Sequence, residues 1–192
     1  MAEKNQKKND ILSAAKSLFK EKGFHNTKMD EIAANAGVGK GTLYEYYKNK
    51  QDIFDEACIA KINNIKEKIE NISNKNITFK QKLIEIFYNK KNSMECEDVT
   101  IDGILSYKNN ISDNVVKAMM NNISDIYKIL EKIIDQGKSE GVVTKDIPSE
   151  IIACSVVGTM SEYFRLKLFN NDNKIIEDDI IFNLFFNGFG VK

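Results

Sequence analysis

The spacing of apolar residues in this chain is helical almost from end to end. Apolar side chains recur every three or four positions, which places them along one face of an α-helix, and the alternation typical of a half-buried β-strand is nearly absent. The first such stripe consists of Ile11, Leu12, Ala15, Leu18 and Phe19 and stops at Gly23. The sequence therefore predicts an all-α protein.

Nine helices follow from this pattern. Thr78 and Ser112 are placed as N-caps of two of them, and Pro148 stands at a first helical turn, where a missing N–H group costs nothing. The predicted helices, in chain order, cover residues 11–23, 29–36, 40–47, 51–72, 79–91, 101–107, 115–137 or 115–141, 151–169 and 175–189.

Charge is distributed unevenly along a chain whose net charge is zero. The chain has 192 residues, of which 42% are apolar and 29% charged, so it is too apolar for disorder and long enough for one large or two small domains. Residues 1–50 contain ten lysines and six acidic residues, whereas the remainder contains 18 basic and 22 acidic residues. We expect a small head that binds a polyanion and a neutral-to-acidic body.

The chain lacks the residues that several classes of functional site need. Cys58, Cys96 and Cys154 form no C-x-x-C pair and His25 is the single histidine, so we predict no disulfide framework, no zinc or other metal site and no cofactor. The single arginine, Arg165, leaves little material for bidentate anion clamps. The carboxylates form no pair that would suggest acid–base catalysis, so we do not predict an enzyme. Because no run of 18 apolar residues or signal peptide is present, we expect a cytoplasmic protein without membrane segments.

The second and third helices have the pattern of a helix-turn-helix. An alanine-rich helix, a turn at Gly37 and a short polar helix follow one another, as in motifs whose second helix enters the major groove of DNA. On a helical wheel Leu43 and Tyr47 face the first of these helices. The outward and flanking positions hold Lys40, Gly41, Thr42, Tyr44, Glu45 and Tyr46. An ordinary helical hairpin with a solvated, lysine-rich face fits the bare pattern equally well.

The same residues resemble a known family. The stretches Ile11–Ala15, Leu18-Phe19, Gly23-Phe24, Thr27–Ala33 and Ala36–Lys50 are similar to the DNA-binding head of the tetracycline-repressor (TetR) family of bacterial transcription regulators. The resemblance covers about residues 8–66, and its most specific part is 36–50. It implies a two-domain, all-α homodimer in which a small molecule bound in the C-terminal body alters affinity for a palindromic operator.

The resemblance also implies domain limits. The DNA-binding head would comprise residues 1–50, extending to about 66 with the start of helix four, with its helix-turn-helix at about 29–48. Residues 67–192 would form the body that binds the ligand and dimerises. An all-α enzyme or a protein-interaction module with a basic head is the alternative, and the run 36–50 argues against it because neither would need such a motif.

Roles in DNA binding carry over by position. Thr27 matches a phosphate-binding hydroxyl at the start of helix two, although it would also serve as an N-cap alone, and Lys50 matches a lysine that anchors the DNA backbone. Glu45 stands where the family varies its base reader, and it either reads cytosine or is solvated. Gly39 departs from the pattern, which usually has serine or another capping residue there. The predicted DNA-binding residues are Thr27, Lys28, Lys40, Gly41, Thr42, Tyr44, Tyr46, Lys48 and Lys50.

The body offers candidates for ligand and dimer contacts. Aromatic and methionine side chains suit a pocket for an apolar or amphipathic ligand, although each would equally fill a core. The predicted ligand-binding residues are Phe87, Tyr107, Met119, Ile123, Tyr127, Met160, Tyr163 and Phe164. The family's dimers form through the last two helices, which implies contacts at Ala153, Val157, Gly158, Ile181, Leu184 and Phe185. The sequence as a whole predicts a repressor that its ligand releases from DNA.

Overall fold

The computed structural model describes residues 2–96, 111–169 and 178–188. Within these ranges the protein is built from eight α-helices, and no β-strand occurs there. The prediction of an all-α fold is therefore confirmed, while the helix predicted at 101–107 lies outside the described residues. The helices are α1 (Ala2–Asn26), α2 (Met29–Asn35), α3 (Lys40–Tyr46), α4 (Lys50–Ser73), α5 (Phe79–Cys96), α6 (Asp113–Ser139), α7 (Ser149–Phe169) and α8 (Asp178–Gly188).

The first helix differs from its prediction at both ends. It begins at Ala2, nine residues before the predicted stripe, and it includes a break at Gly23, whose φ of 79° is not helical. The glycine therefore ends the regular part of α1 as predicted, since other residues rarely adopt that conformation. Near the start of the helix, Lys8 Nζ lies 2.7 Å from the carboxylate of Glu56, so the basic N-terminal segment is helical and partly paired.

The caps predicted at Thr78 and Ser112 are confirmed. The Thr78 N–H donates to Oε1 of Gln81 at 3.0 Å, and the Gln81 N–H donates to Oγ1 of Thr78 at 3.4 Å, which is the reciprocal arrangement of a capping box. Ser112 Oγ accepts from the N–H of Val115 at 3.4 Å at the start of α6. Both hydroxyls satisfy backbone donors that the first helical turn leaves unpaired.

The chain folds into two compact units. The first comprises residues 2–64 and 111–120, and the second comprises 65–96, 121–169 and 178–188. The core of the first includes Ile11, Ile32 and Leu43, all with no exposed surface. Val115 and Met119 belong to that core as well, so the start of α6 lies in the first unit, whereas the sequence assigned everything after residue 67 to the body.

The second unit has a core of its own. Phe79, Phe87, Ile152 and Phe185 are almost fully buried in it, and the side chain of Lys82 is buried beside them, donating to the carbonyl of Ser73 at 2.6 Å and to Oε1 of Gln136 at 2.7 Å. These two acceptors compensate for the burial of an ammonium group. Among the helices just described, none combines the length and hydropathy that crossing a bilayer requires.

Candidate nucleic-acid interface

The helix-turn-helix consists of α2, a turn at Ala36–Gly39 and α3. In the turn, the N–H of Gly37 donates to the carbonyl of Ala34 at 3.2 Å, and that of Val38 donates to the carbonyl of Ala33 at 3.0 Å. Gly37 has a φ of 65°, in the left-handed region that commonly ends a helix and favours glycine. This residue therefore ends α2 as the sequence predicted.

One face of α3 is fixed by burial. Leu43 and Tyr47 lie in the same core as Ile32, as the helical wheel predicted. The Tyr47 hydroxyl donates to a carboxylate oxygen of Glu56 at 3.2 Å, and burial raises the pKa of the Tyr47 phenol far above its ordinary value. Tyr47 is thus a neutral, packed residue that sets the rotation of α3 about its axis.

That rotation determines which side chains face outward. Lys40, Gly41, Tyr44 and Glu45 are exposed, and Thr42 and Tyr46 are half-buried at the flanks, which confirms the placement expected from the wheel. Lys28 before α2 and Lys48 after α3 are also exposed. A face with lysines and tyrosine hydroxyls around a glycine has the donors that phosphate oxygens accept from, together with a place for close backbone approach.

The outward lysine at the start of α3 has an acidic neighbour. Lys40 Nζ lies 2.9 Å and 3.1 Å from the two carboxylate oxygens of Asp30 on α2. The hydrogen bond to Asp30 raises the pKa of Lys40 above its ordinary value. The ion pair joins the two helices of the motif on their exposed surface, and nothing in the sequence pattern had marked Asp30 as part of the site.

Thr27 does not occupy the role predicted for it. Its side chain is 2% exposed, and its hydroxyl is 2.9 Å from the carbonyl of Gly23 and 3.3 Å from that of Leu18. Lys28 holds the N-cap position of α2, so the prediction that Thr27 caps this helix is wrong. Because the one hydroxyl proton of Thr27 is directed to buried carbonyls, the described conformation leaves no donor for a phosphate.

Lys50 is also occupied within the first unit. Its ammonium donates to the carbonyls of Phe24, His25 and Thr27, with distances of 3.1 Å to His25 and 2.8 Å to Thr27. The same group lies 4.4 Å from the centre of the Phe24 ring. Burial lowers the pKa of Lys50, with Glu31 acting in the opposite direction. The predicted anchor for DNA thus holds together the end of α1 and the start of α4.

Three further polar residues position the motif and were missed by sequence reasoning. Glu31 accepts from Lys22 Nζ at 2.7 Å and from the Lys28 N–H at 2.8 Å, and these contacts lower its pKa. Asn49 caps α4 by accepting from the N–H of Asp52 at 3.0 Å, while Asp52 accepts from the N–H of Lys48 at 3.1 Å. An Asn followed three residues later by Asp is a signal that would have predicted this cap.

The predicted ligand residues divide into three groups. Phe87, Tyr127, Met160, Tyr163 and Phe164 belong to the core of the second unit or pack against it. The Phe87 ring centre is 5.0 Å from that of Phe164 and 5.8 Å from that of Tyr163. These five side chains are therefore brought together as the sequence predicted, whether as a pocket wall or as core.

Two of the other three candidates are not part of this group. Met119 lies four residues after Val115 on the face of α6 that fills the core of the first unit, so its assignment to the ligand site is wrong. Ile123 is exposed, on the outward stripe of Val116 and Met120, and its role in ligand binding stays a prediction. Tyr107 lies outside the described residues.

The predicted dimer contacts are also divided. Ala153, Ile181 and Phe185 are buried within the chain's own core, so their assignment to a partner-facing surface is wrong. Gly158 and Leu184 are exposed and Val157 is half-buried. The wheel could not separate these sets, since apolar residues occur on all sides of α7 and α8. Further exposed apolar residues are Ile151 and Leu166 on α7 and Ile180 on α8, at 55%, 39% and 54% exposure.

Comparison with known proteins adds independent information about the head. The sequence profile of bacterial regulatory proteins of the tetR family matches residues 11–57, which include α2, the turn and α3. Over 73 residues the chain is 34% identical to the biofilm operon icaADBC HTH-type negative transcriptional regulator IcaR of Staphylococcus aureus. That match covers 36% of this chain and 39% of IcaR.

Two other similarities extend beyond the head. The chain is 28% identical over 163 residues to the fatty acid metabolism regulator protein of Bacillus subtilis, with 84% of each chain covered. The crystal structure of the transcriptional regulator FadR from Bacillus subtilis in complex with stearoyl-CoA matches with a TM-score of 0.69 at 23% identity, covering 93% of this chain and 97% of FadR. At that identity the structural match establishes the fold and no more.

Proposed function

We propose that this chain, a member of the tetR family of bacterial regulatory proteins by the match of residues 11–57, is a repressor that a long-chain acyl thioester of coenzyme A releases from its operator. Its function as a DNA-binding transcription regulator follows from the family, which sets aside the alternative of an all-α enzyme or protein-interaction module. The proposal adds the direction of regulation and the chemistry of the ligand.

One observation carries the choice of ligand. The similarity to the fatty acid metabolism regulator covers 84% of both chains, so it includes much of the second unit, whereas the match to IcaR covers 36% of this chain. The FadR structure of like fold was solved with stearoyl-CoA. A shared body together with a shared head supports an acyl-CoA ligand for this chain.

The chemistry of the second unit suits such a ligand. An acyl chain needs apolar surroundings and the phosphates of coenzyme A need cations. The side chains of Phe87, Tyr163 and Phe164 are apolar but buried against one another, so an acyl chain would have to separate them in order to bind there. Lys90 Nζ lies 5.8 Å from the ring centre of Phe164 and 2.9 Å from Ser161 Oγ. Lys167 Nζ lies 4.8 Å from the ring centre of Tyr163. Both ammonium groups stand at the border of the aromatic cluster, and we assign the phosphates to them.

Fewer residues of the first unit are available to contact DNA than the sequence implied. We assign contacts with the operator to the exposed or flanking members, which are Lys28, Lys40, Gly41, Thr42, Tyr44, Tyr46 and Lys48. Thr27 and Lys50 are omitted, because their donors already have backbone acceptors. Of the assigned residues, the tyrosines and lysines suit phosphates, and the start of α3 suits base edges in the major groove.

The active species in this proposal is a homodimer formed through α7 and α8. Ile151, Ile180 and Leu184 are each more than half exposed, and Gly158 leaves open space beside α7, so a partner helix can approach closely. Two-fold symmetry then places the two recognition helices roughly 34 Å apart, one turn of DNA, on a palindrome. Leu184→Glu should give a monomer in light scattering, whereas the control Met120→Glu, at an exposed methionine of α6, should remain dimeric.

Operator release is the direct test of the ligand. DNA binding is measured by fluorescence anisotropy on the duplex upstream of the protein's own reading frame, with stearoyl-CoA or free coenzyme A added at equal concentration. Stearoyl-CoA should release the duplex and coenzyme A should not, because only the former also uses the apolar cluster. Binding of the duplex with no response to stearoyl-CoA would leave the regulator and remove the proposed ligand.

A pair of variants tests the assigned cations. Lys90→Gln combined with Lys167→Gln should bind the duplex as the wild type does and require at least tenfold more stearoyl-CoA for release, since two charged contacts with phosphate are lost. Lys132→Gln, at an exposed position of α6, is the matched control and should respond like the wild type. Equal release by all three proteins would place the phosphates elsewhere.

A further inference from the structure

The ion pair between Asp30 and Lys40 joins the first turn of α2 to the start of α3 on the exposed surface of the first unit. Lys40 is the first residue of α3, the helix assigned to the major groove, and Asp30 is in the first turn of α2. Both side chains remain largely exposed, at 63% for Lys40 and 64% for Asp30. A basic group available to DNA is therefore held by an acid of the neighbouring helix that is itself open to the same solvent.

This arrangement affects two kinds of DNA contact differently. Binding to arbitrary sequence depends on lysines that replace counterions at phosphates. A phosphate that approaches Lys40 must compete with the Asp30 carboxylate for the ammonium and is repelled by its charge. A base edge in the major groove offers neutral acceptors, and an ammonium with three N–H donors can keep Asp30 while it donates one hydrogen bond to such an acceptor.

We propose that Asp30 is a specificity-determining residue, which restrains Lys40 and thereby weakens binding to non-operator DNA more than binding to the operator. It acts through Lys40 and needs no contact with DNA. The expected size is modest, because an exposed ion pair changes a binding constant by at most about fivefold. A change of this size alters the distribution of a regulator among the large excess of non-specific sites in a chromosome.

The test compares two duplexes with the full-length protein. One is the duplex that the wild-type protein selects from a random pool, and the other is a random-sequence duplex of equal length. For Asp30→Asn, affinity for the random duplex should rise about two- to fivefold and the slope of log affinity against log salt should steepen by up to about one. Affinity for the selected duplex should change less than twofold, so the ratio of the two affinities falls.

Three control proteins separate this effect from general electrostatics. Asp30→Glu retains the charge and the reach to Lys40 and should restore wild-type discrimination. Glu21→Gln removes an exposed acid elsewhere in the first unit, on α1, and should change the two affinities equally. In a Lys40→Gln background, adding Asp30→Asn should have no further effect on discrimination, because the group that Asp30 restrains is gone.

One outcome of these measurements supports the role of Asp30 and two overturn it. A loss of discrimination in Asp30→Asn that disappears in the Lys40→Gln background supports the proposal. Equal effects of Asp30→Asn and Glu21→Gln would overturn it in favour of surface charge alone. A parallel loss of both affinities with a lowered melting temperature would also overturn it, since Asp30 would then serve only the stability of α2.

Discussion

The outward face of α3 was predicted from the sequence residue by residue, whereas the outward faces of α7 and α8 were not. In the first unit α3 packs against the core through Leu43 and Tyr47. The spacing of its apolar residues therefore separates buried from exposed positions. In α7 the buried Ile152 and the exposed Ile151 are the same type of residue, so the sequence does not distinguish them. Helical period identifies a face only where one side of the helix is polar.

The comparison extends to the two helical glycines Gly137 and Gly41. A Cβ at Gly137 of α6 would lie 2.7 Å from both Phe79 and Val143, whereas a Cβ at Gly41 of α3 would meet nothing within 4 Å. The second unit therefore uses a glycine for close packing inside the protein. In the first unit the glycine leaves room outside, on the surface assigned to DNA.

Among the glycine variants, the largest effect is expected for Gly137→Ala. Alanine normally stabilises a helix by about 1 kcal/mol relative to glycine, but here the Cβ collides with a buried ring and a buried valine. Overpacking of this kind costs about 1–3 kcal/mol, so we expect a net loss of stability of the second unit. Thermal unfolding followed by circular dichroism measures it. A gain in stability would show that Phe79 moves aside easily, and would contradict the difference proposed between Gly137 and Gly41.

Lys50→Ala should act on the fold of the first unit more than on its charge. The variant removes an ammonium that donates to three carbonyls, and hydrogen bonds to charged groups contribute about 1.5–3 kcal/mol each where they are buried. For this half-buried group we expect a loss of about 1–2 kcal/mol. Affinity for DNA should fall through that loss, with the salt dependence of binding unchanged.

Lys48→Ala is the matched control, two residues away on the exposed surface. Its stability should change by less than about 0.5 kcal/mol, and the slope of log affinity against log salt should become shallower by about one phosphate contact. If the two variants exchanged these behaviours, Lys50 would be the DNA anchor that the family resemblance implied. The pair therefore separates a role in folding from a role in binding.

These lysines show where prediction from sequence ends. The helices, their caps at Thr78 and Ser112 and the inward residues of α3 follow from local spacing, and all were predicted. The partners of Lys50 lie 23 to 26 residues away in the chain, and no local pattern reports such a contact. The same applies to Thr27, which is buried because its hydroxyl meets carbonyls of α1. A motif identifies the position of a residue, while tertiary packing decides what remains available for a ligand.

A smaller effect, opposite in sign for folding and binding, is expected for Gly41→Ala. Because the Cβ meets no atom of the protein, the variant should gain up to about 1 kcal/mol of stability from the helix preference of alanine. Affinity for the operator should fall severalfold if the backbone at Gly41 approaches DNA closely. Unfolding and anisotropy on the same preparation measure both. Unchanged affinity would show that the open space at Gly41 serves no DNA contact.

The smallest expected effect concerns Gly39, the N-cap of α3. Its φ of −68° and ψ of 151° suit any residue, and a Cβ there would lie 4.0 Å from Thr42 Oγ1, so serine fits without strain. A serine hydroxyl would accept from an N–H of the first turn, which glycine cannot provide. Gly39→Ser should therefore stabilise the first unit by a few tenths of a kcal/mol, and Gly39→Ala, which has a side chain but no acceptor, should destabilise it. Melting temperatures that fall from serine to glycine to alanine would show that the capping preference of residue 39 governs this turn. An alanine variant as stable as the serine variant would show instead that packing around α3 decides the stability of the turn, as packing does in the second unit.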